Sequence, residues 1–154
     1  MTGGADPDNR HDFPGGFGGD AKNALTKAGR SATEEDVFAW TSSLLALRKA
    51  HPSLQTGLEQ NLFSDEDSFA FVRTLEDAGC SSDHSPDPLK ERFLIVVNKA
   101  QHRKQLDLPM EETALGGCTE FQTASPGTGT APVVSSGKLH LAEPPESIIQ
   151  YEVR

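Results

Sequence analysis

Cysteine is scarce in this 154-residue sequence, where Cys80 and Cys118 are the only two. Two thiols are too few for a disulfide framework or a four-ligand zinc site, and the sequence leaves open whether they pair with each other. Basic residues are also in short supply, 14 Lys and Arg against 23 Asp and Glu, for a net charge of −9. Such a surface repels a phosphate backbone, so nucleic acid is not expected as a partner. No apolar run approaches the roughly 18 residues of a membrane-spanning helix, and no membrane partner is expected either. The five histidines, His11, His51, His84, His102 and His140, show no H-x-x-x-H or H-x-E spacing, and no Ser-His-Asp order with a nucleophile elbow is present. Neither a metal nor a cofactor is expected. The chain is too short for a complete (β/α)8 barrel of about 250 residues. With an apolar share of 35% before glycine is added, wholesale disorder is not indicated.

Glycine is concentrated at one end. Seven of the 14 glycines fall within residues 1–32, beside Asp6, Asp8, Asp12 and Asp20, and the segment has neither a helical nor an alternating apolar period. It reads as a long loop, and loops of more than about 15 residues are uncommon in compact domains unless they are functional or disordered. A helix is expected from Thr33 to Ala50. Thr33 reads as its N-cap with Asp36 three residues on, Glu34 and Glu35 suit the positive end of the dipole, and Arg48 and Lys49 suit the other. Val37, Trp40, Leu44 and Leu45, widened by Leu47, have the spacing of a buried stripe, and Pro52 stops the helix.

Beyond Pro52 the period changes from 3.6 to 2. Ser68 to Arg73 alternates with Phe69 and Phe71 on one face, and Phe93 to Val97 is a continuous apolar run suited to a central strand. Shorter strands are expected at Leu62 to Ser64, Lys104 to Leu108, Lys138 to Leu141 and Ser147 to Val153. The polar segments Glu76 to Glu91 and Gly116 to Gly137 read as loops. Several strands without intervening helices point to a mainly β protein, an antiparallel β-sandwich preceded by a loop and a helix.

Two short motifs have to be weighed. Asp6-Pro7-Asp8-Asn9-Arg10 puts two carboxylates, an amide and a guanidinium in five positions, which suits either a polar ligand or a solvated turn. It is not an EF-hand, because His11 stands where glycine is required and Phe17 where the bidentate Glu should be. Gly16-Phe17-Gly18-Gly19-Asp20-Ala21 matches G-x-G-x-x-A formally, but it lacks the preceding strand and the helix that must open at the motif. Phe13-Pro14-Gly15-Gly16-Phe17 reads instead as a tight turn that carries two aromatic rings, either toward a partner such as a sugar ring or into a neighbouring core.

The run from Gly4 through Asp6-Pro7-Asp8-Asn9-Arg10 and Asp12-Phe13-Pro14-Gly15-Gly16-Phe17 resembles one place in one family, as do Asn23-Ala24-Leu25-Thr26 and Leu44-Leu45-Ala46-Leu47-Arg48-Lys49-Ala50-His51-Pro52-Ser53-Leu54. That place is near the C-terminus of α-amylase family glycoside hydrolases, in the neopullulanase and cyclomaltodextrinase branch. The resemblance covers roughly the first third of the chain, and Val96-Val97-Asn98 is similar to a strand ending seen in the rest. It implies that residues 1–52 are the last loop and helix of an incomplete (β/α)8 barrel and that residues 53–154 are the C-terminal antiparallel β-sandwich domain. Loop eight would lie on the active-site face, with Asp6 and Arg10 as substrate-binding residues for a glucose unit on the non-reducing side of the cleavage point. The family's nucleophile Asp, acid/base Glu and stabilising Asp lie on earlier strands, so the resemblance implies no catalytic residue in this chain. The expected partners are an α-glucan or maltooligosaccharide and the missing barrel portion. The rival expectation is a free-standing carbohydrate-binding or structural β-sandwich module.

Overall fold

Alternation of apolar residues dictates most of what the computed structural model shows; it describes residues 5, 6, 9, 10, 13–75, 80, 91–124, 126 and 129–154. The chain divides into two compact units, Met1–Ser42 and Ser43–Arg154. The described residues of the second unit form eight strands: β1 Leu58–Ser64, β2 Ser68–Thr74, β3 Arg92–Asn98, β4 Lys104–Pro109, β5 Phe121–Ala124, β6 Val133–Ser135, β7 Lys138–Glu143 and β8 Ser147–Val153. They make two sheets, ordered β1-β2-β3-β8-β5 and β4-β7-β6, with every pairing antiparallel. The expected sandwich is therefore present, with the apolar Phe93–Val97 run in the central strand. Two strands lie inside Gly116–Gly137, a segment too polar to read as anything but a loop. β5 is held by backbone pairing to β8, and β6 exposes every residue to solvent, so neither carries an apolar period. The segment expected as a loop at Glu76–Glu91 lies mostly outside the described residues.

The core fills the space between the sheets. Ala70, Val72, Leu94, Val96, Ile149, Tyr151 and Val153 face Leu106, Leu108, Leu139 and Leu141, and Met110, Ala114, Leu115 and Cys118 close one end. Each large side chain buried this way stabilises the fold by about 2 kcal/mol. In β2 the small residues point inward, while Phe69 and Phe71 share the other face and stack on each other with centroids 5.1 Å apart. Asn98 ties the end of β3 to the returning chain: its Nδ2 donates to the carbonyls of Pro144, 2.7 Å, and His102, 3.1 Å, and its Oδ1 accepts from Ala100 N–H. The β6–β7 hairpin turns on Ser136 and Gly137 with φ of 51° and 72°, the two positive values of a type I′ turn. A disulfide joins Cys80 to Cys118 and closes a 38-residue loop, which restricts the unfolded chain by about 4 kcal/mol on a chain-entropy account.

A helix stop predicted at Pro52 turns out to be a stop and a new start. Helix α1, Ala32–Ala50, ends before His51, whose extended backbone is what a following proline imposes, and Pro52 then opens the five-residue helix α2, Pro52–Thr56. Arg48 caps α2 by donating from Nη1 to Leu54 C=O, 2.6 Å, and from Nη2 to Gln55 C=O, 3.3 Å. His51 packs edge-on against Phe93 at 4.7 Å and lies 3.3 Å from Glu91 Oε2. With α2 against β2 and β3, the outer face of β3 is covered there, and Phe93 is fully buried.

In the first unit the helix starts two residues earlier than the Thr33 cap predicts. Ser31 is the N-cap: its Oγ accepts from Glu34 N–H, 3.3 Å, while Glu34 Oε2 accepts from Ser31 N–H, 2.8 Å. This is a capping box, and the long arm of Glu34 makes the return bond that Asp36 is too short to make. Lys22 pairs with the other Glu34 oxygen and, with Ser31, holds that carboxyl down to about 2. Preceding the helix, a glycine turn folds back on Asn23. Gly15 has φ 121° and lies so close that a Cβ would sit 2.5 Å from Asn23 Oδ1. Asn23 Oδ1 accepts from Leu25 N–H, and Pro14 C=O accepts from Ala24 N–H at 2.8 Å. Arg30 donates to Ala24 C=O and to Glu35 Oε2, and its guanidinium lies 3.9 Å over the Phe38 ring. The helix stripe is not buried as its period predicts: α1 has no buried residue.

Two predictions follow from these contacts. Glu143 is buried between the sheets, where its Oε1 accepts from Tyr151 O–H at 3.0 Å and its Oε2 finds no partner among the described residues. Burial raises its carboxyl above the ordinary 4.5, because the neutral form is the one the interior accepts. Its contribution to stability is complete below pH 4.5 and declines as the pH rises through the folded value. Urea unfolding at pH 4.5 and 7.5 should therefore show a smaller loss in Glu143→Gln than in the parent chain, and equal losses would refute this assignment. Gly15→Ala should expose the Ala24 and Leu25 amides to hydrogen exchange while leaving the sandwich amides protected, since a Cβ there meets Asn23 at both Oδ1 and Cα.

Candidate functional site

Asp6 and Arg10 come together as an ion pair. Arg10 Nε lies 2.9 Å from Asp6 Oδ1, and Arg10 Nη2 donates to Oδ2 at 3.2 Å. The spacing of four residues is what lets a guanidinium fork reach back onto both carboxylate oxygens. Both side chains are exposed, so the pair contributes little to stability. Its chemical capacity lies elsewhere. A guanidinium has five N–H donors and a carboxylate about four acceptor positions, so after this mutual pairing Arg10 keeps three donors and Asp6 two acceptor positions. Donors and acceptors side by side match adjacent hydroxyl groups, each of which both donates and accepts. Asp8 and Asp12, grouped with them in the sequence, lie outside the described residues.

The turn that follows in the sequence presents apolar surface. Gly15, Gly16 and Gly19 all have positive φ, and Asp20 Oδ2 accepts from Phe17 N–H at 3.0 Å. Phe13 and Phe17 are 63% and 77% exposed. Of the two roles that the sequence leaves open for these rings, the plug into a core of this chain is not the one observed. Exposed aromatic faces suit a ligand with apolar ring faces.

One polar chain escaped the sequence reading. Ser135 Oγ lies 2.8 Å from His140 Nε2, and His140 Nδ1 lies 2.7 Å from Asp107 Oδ1. The three residues sit on β6, β7 and β4, where His140 is directly opposite Asp107 in the register. Their order and separation along the chain carry no motif, so only the sheet brings them together. Ser135 and Asp107 are open to solvent and His140 is partly so, which is the setting of a cross-strand surface network rather than of a nucleophile shielded from water. Among the described residues no group of three or more His, Cys, Asp or Glu side chains is arranged to hold a metal ion.

No family model and no curated protein matches the sequence. Solved structures nevertheless share the fold. The chain is similar to AmyP, solved in complex with maltose, at 17% identity and a TM-score of 0.57 over 79% of its length. It is similar to the debranching enzyme of Nostoc punctiforme at 18% identity and 0.58 over 82%. A substituted AmyP in complex with maltotriose gives 16% identity and 0.55. The chain spans about a fifth to a quarter of these proteins, 21% of AmyP and 24% of the debranching enzyme. These neighbours are α-amylase family enzymes, the likeness at such identities is one of fold, and the antiparallel architecture observed here fits their C-terminal β domains.

Proposed function

We propose that this chain is the C-terminal portion of a retaining α-glucan hydrolase of the α-amylase family, in its neopullulanase and cyclomaltodextrinase branch. In this reading residues 1–52 are the loop after the eighth barrel strand and the eighth barrel helix, and residues 53–154 are the C-terminal β-sandwich domain. Asp6 and Arg10 hydrogen-bond a glucose unit of an α-glucan or maltooligosaccharide, and the catalytic Asp, Glu and Asp come from the barrel portion that this chain lacks. The chain alone is then catalytically silent.

The observation that carries this reading is the uncovered helix. α1 has 19 residues and an apolar stripe at helical spacing, yet nothing on it is buried: Val37 is 62% and Leu45 61% exposed. A stripe of this kind forms in order to pack, and the face belongs against further structure. An eighth barrel helix without its barrel has this character. The fold likeness to AmyP and the debranching enzyme, over a minor part of each, supports the same reading. The rival, a free-standing carbohydrate-binding or structural module, draws on the fact that Ser43–Arg154 is a compact unit with a core of its own.

Three measurements test the proposal. The isolated chain should release no reducing sugar from starch, pullulan or cyclodextrin above the background of an Asp6→Ala control; turnover above it would place chemistry on this loop and refute the reading. An antibody against residues 53–154 should detect a native protein several times the size of this chain, whereas a band at the size of the chain favours the free-standing module. In the longer protein, Asp6→Ala and Arg10→Ala should each weaken maltooligosaccharide binding about 10-fold or more, the effect of losing one or two hydrogen bonds to a charged group.

A further inference from the structure

We propose that Ser135 is a nucleophile that takes the acyl group of a small activated ester and passes it to water, with His140 as its base and Asp107 positioning that base. Ser135 Oγ lies 2.8 Å from His140 Nε2, and His140 Nδ1 lies 2.7 Å from Asp107 Oδ1. A carboxylate oxygen only accepts, so Nδ1 carries the hydrogen of the second bond. In the neutral ring Nε2 then keeps its lone pair, and the Ser135 O–H donates to it. A hydroxyl on the basic nitrogen of an imidazole whose other nitrogen is held by a carboxylate is the relation that activates serine on unrelated folds. All three residues are placed by strands. His140 on β7 stands opposite Asp107 on β4 and Val133 on β6, and Ser135 is two residues along β6 from Val133, so the three share the outward face of this sheet. Met110 N–H donates to Gly137 C=O at 3.2 Å, which ties the hairpin tip beside Ser135 to the end of β4. Lys138 stands opposite both Ser135 and Pro109 on the same face, so its ammonium can reach a carbonyl oxygen that gains charge as Ser135 attacks.

Exposure decides the substrate class. Ser135 is open to solvent, and the side chains of His140 and Asp107 are 37% and 60% exposed, so a small ester and water both reach the hydroxyl. A site that does not exclude water suits an ester whose leaving group needs little help. Ser135 Oγ attacks the carbonyl carbon, and its proton passes to His140 Nε2. The tetrahedral adduct collapses, the bond to the leaving oxygen breaks, and that oxygen takes the proton from Nε2. Water then attacks the acyl-serine while Nε2 takes its proton. The ester bond to Oγ breaks, Ser135 recovers a hydrogen from Nε2, and the carboxylic acid leaves. One ester and one water give one acid and one alcohol, and nothing is oxidised or reduced.

The test treats the full chain with a fluorophosphonate, which bonds stably to an activated serine hydroxyl, and locates the label by mass. Ser135 should be labelled about tenfold or more faster than Ser136, the adjacent residue, which is also exposed. That comparison is made within the parent chain and needs no variant to fold. Labelling of Ser135 should rise with pH as the imidazole gives up its proton, and His140→Ala should lose both the rise and the excess over Ser136. Asp107→Asn should slow labelling about tenfold in the parent chain and change nothing further in a chain that already carries His140→Ala, whereas a residue acting only on the fold would slow both. With p-nitrophenyl acetate, the parent chain should release nitrophenolate repeatedly and faster than Ser135→Ala. Equal labelling of Ser135 and Ser136, a His140→Ala chain labelled as fast as the parent, an Asp107→Asn effect that persists without His140, or nitrophenolate release no faster than that of Ser135→Ala would each overturn the proposal.

Discussion

A strand with no polar face has to be covered on both sides, and β3 is that strand. Leu94 and Val96 point into the space between the sheets, and Phe93 and Ile95 point the other way, yet all four are buried. The inner pair needs β4 and β7, which requires the chain to leave the first sheet after Asn98, build the second and return as β8 beside β3. The bonds from Asn98 to both ends of that excursion hold the crossing in place. The outer pair needs a lid, and the chain supplies one with His51 and α2. The length of α2, the extended residue before Pro52 and the cap from Arg48 all serve to lay that lid on the sheet. The Arg48 to Leu54 stretch thus has a structural reason for its composition: a capping cation, a ring to cover Phe93, and a proline that breaks one helix and starts the next.

The glycine-rich unit is organised by polar groups instead. Asn23, Arg30, Ser31, Glu34 and Lys22 satisfy one another and the loop backbone, and none of the described residues of this unit belongs to the hydrophobic core. A loop braced in this way keeps its apolar residues on the outside. Phe13, Phe17 and Leu25 are exposed, and Val37 and Phe38 are exposed on the helix that follows. Such surface is unusual for a self-sufficient domain and natural for a segment taken from a larger assembly. Our functional proposal rests on that imbalance: the sandwich satisfies its own hydrophobic demand, and the loop and helix do not.

Among the described residues, the buried charged groups of the sandwich are Arg92, which opens β3, and Glu143, which ends β7. Glu143 and Tyr151 share a hydrogen bond at the end of β7, and Arg92 lies against two sulfurs at the start of β3. A buried carboxyl of this kind favours one protonation state over another more than it stabilises the fold as such.

How much of this was legible beforehand depends on the range of the forces involved. The strands β2, β3, β7 and β8, the helix α1 and its end at Ala50 follow from local period, caps and proline geometry, which act within a few residues. Asp6 and Arg10 were singled out by the resemblance of their motif rather than by local period, and their ion pair was not predicted. β5 and β6 were not legible, because a strand held by a neighbour's backbone needs no pattern of its own. The N-cap was misplaced by two residues because Thr33 and Ser31 both satisfy the local rule, and the long arm of Glu34, which bonds back to Ser31 N–H, favours Ser31. The pairing of Cys80 with Cys118 and the contact of His140 with Asp107 join residues 38 and 33 apart in sequence, so the tertiary fold decides the first and the β4–β7 register the second. The sequence by itself determined the mainly β architecture and the amphipathic character of α1, since both are written in periodicity. Only the tertiary structure decided that the helix stripe stays uncovered, because burial depends on what else folds against it.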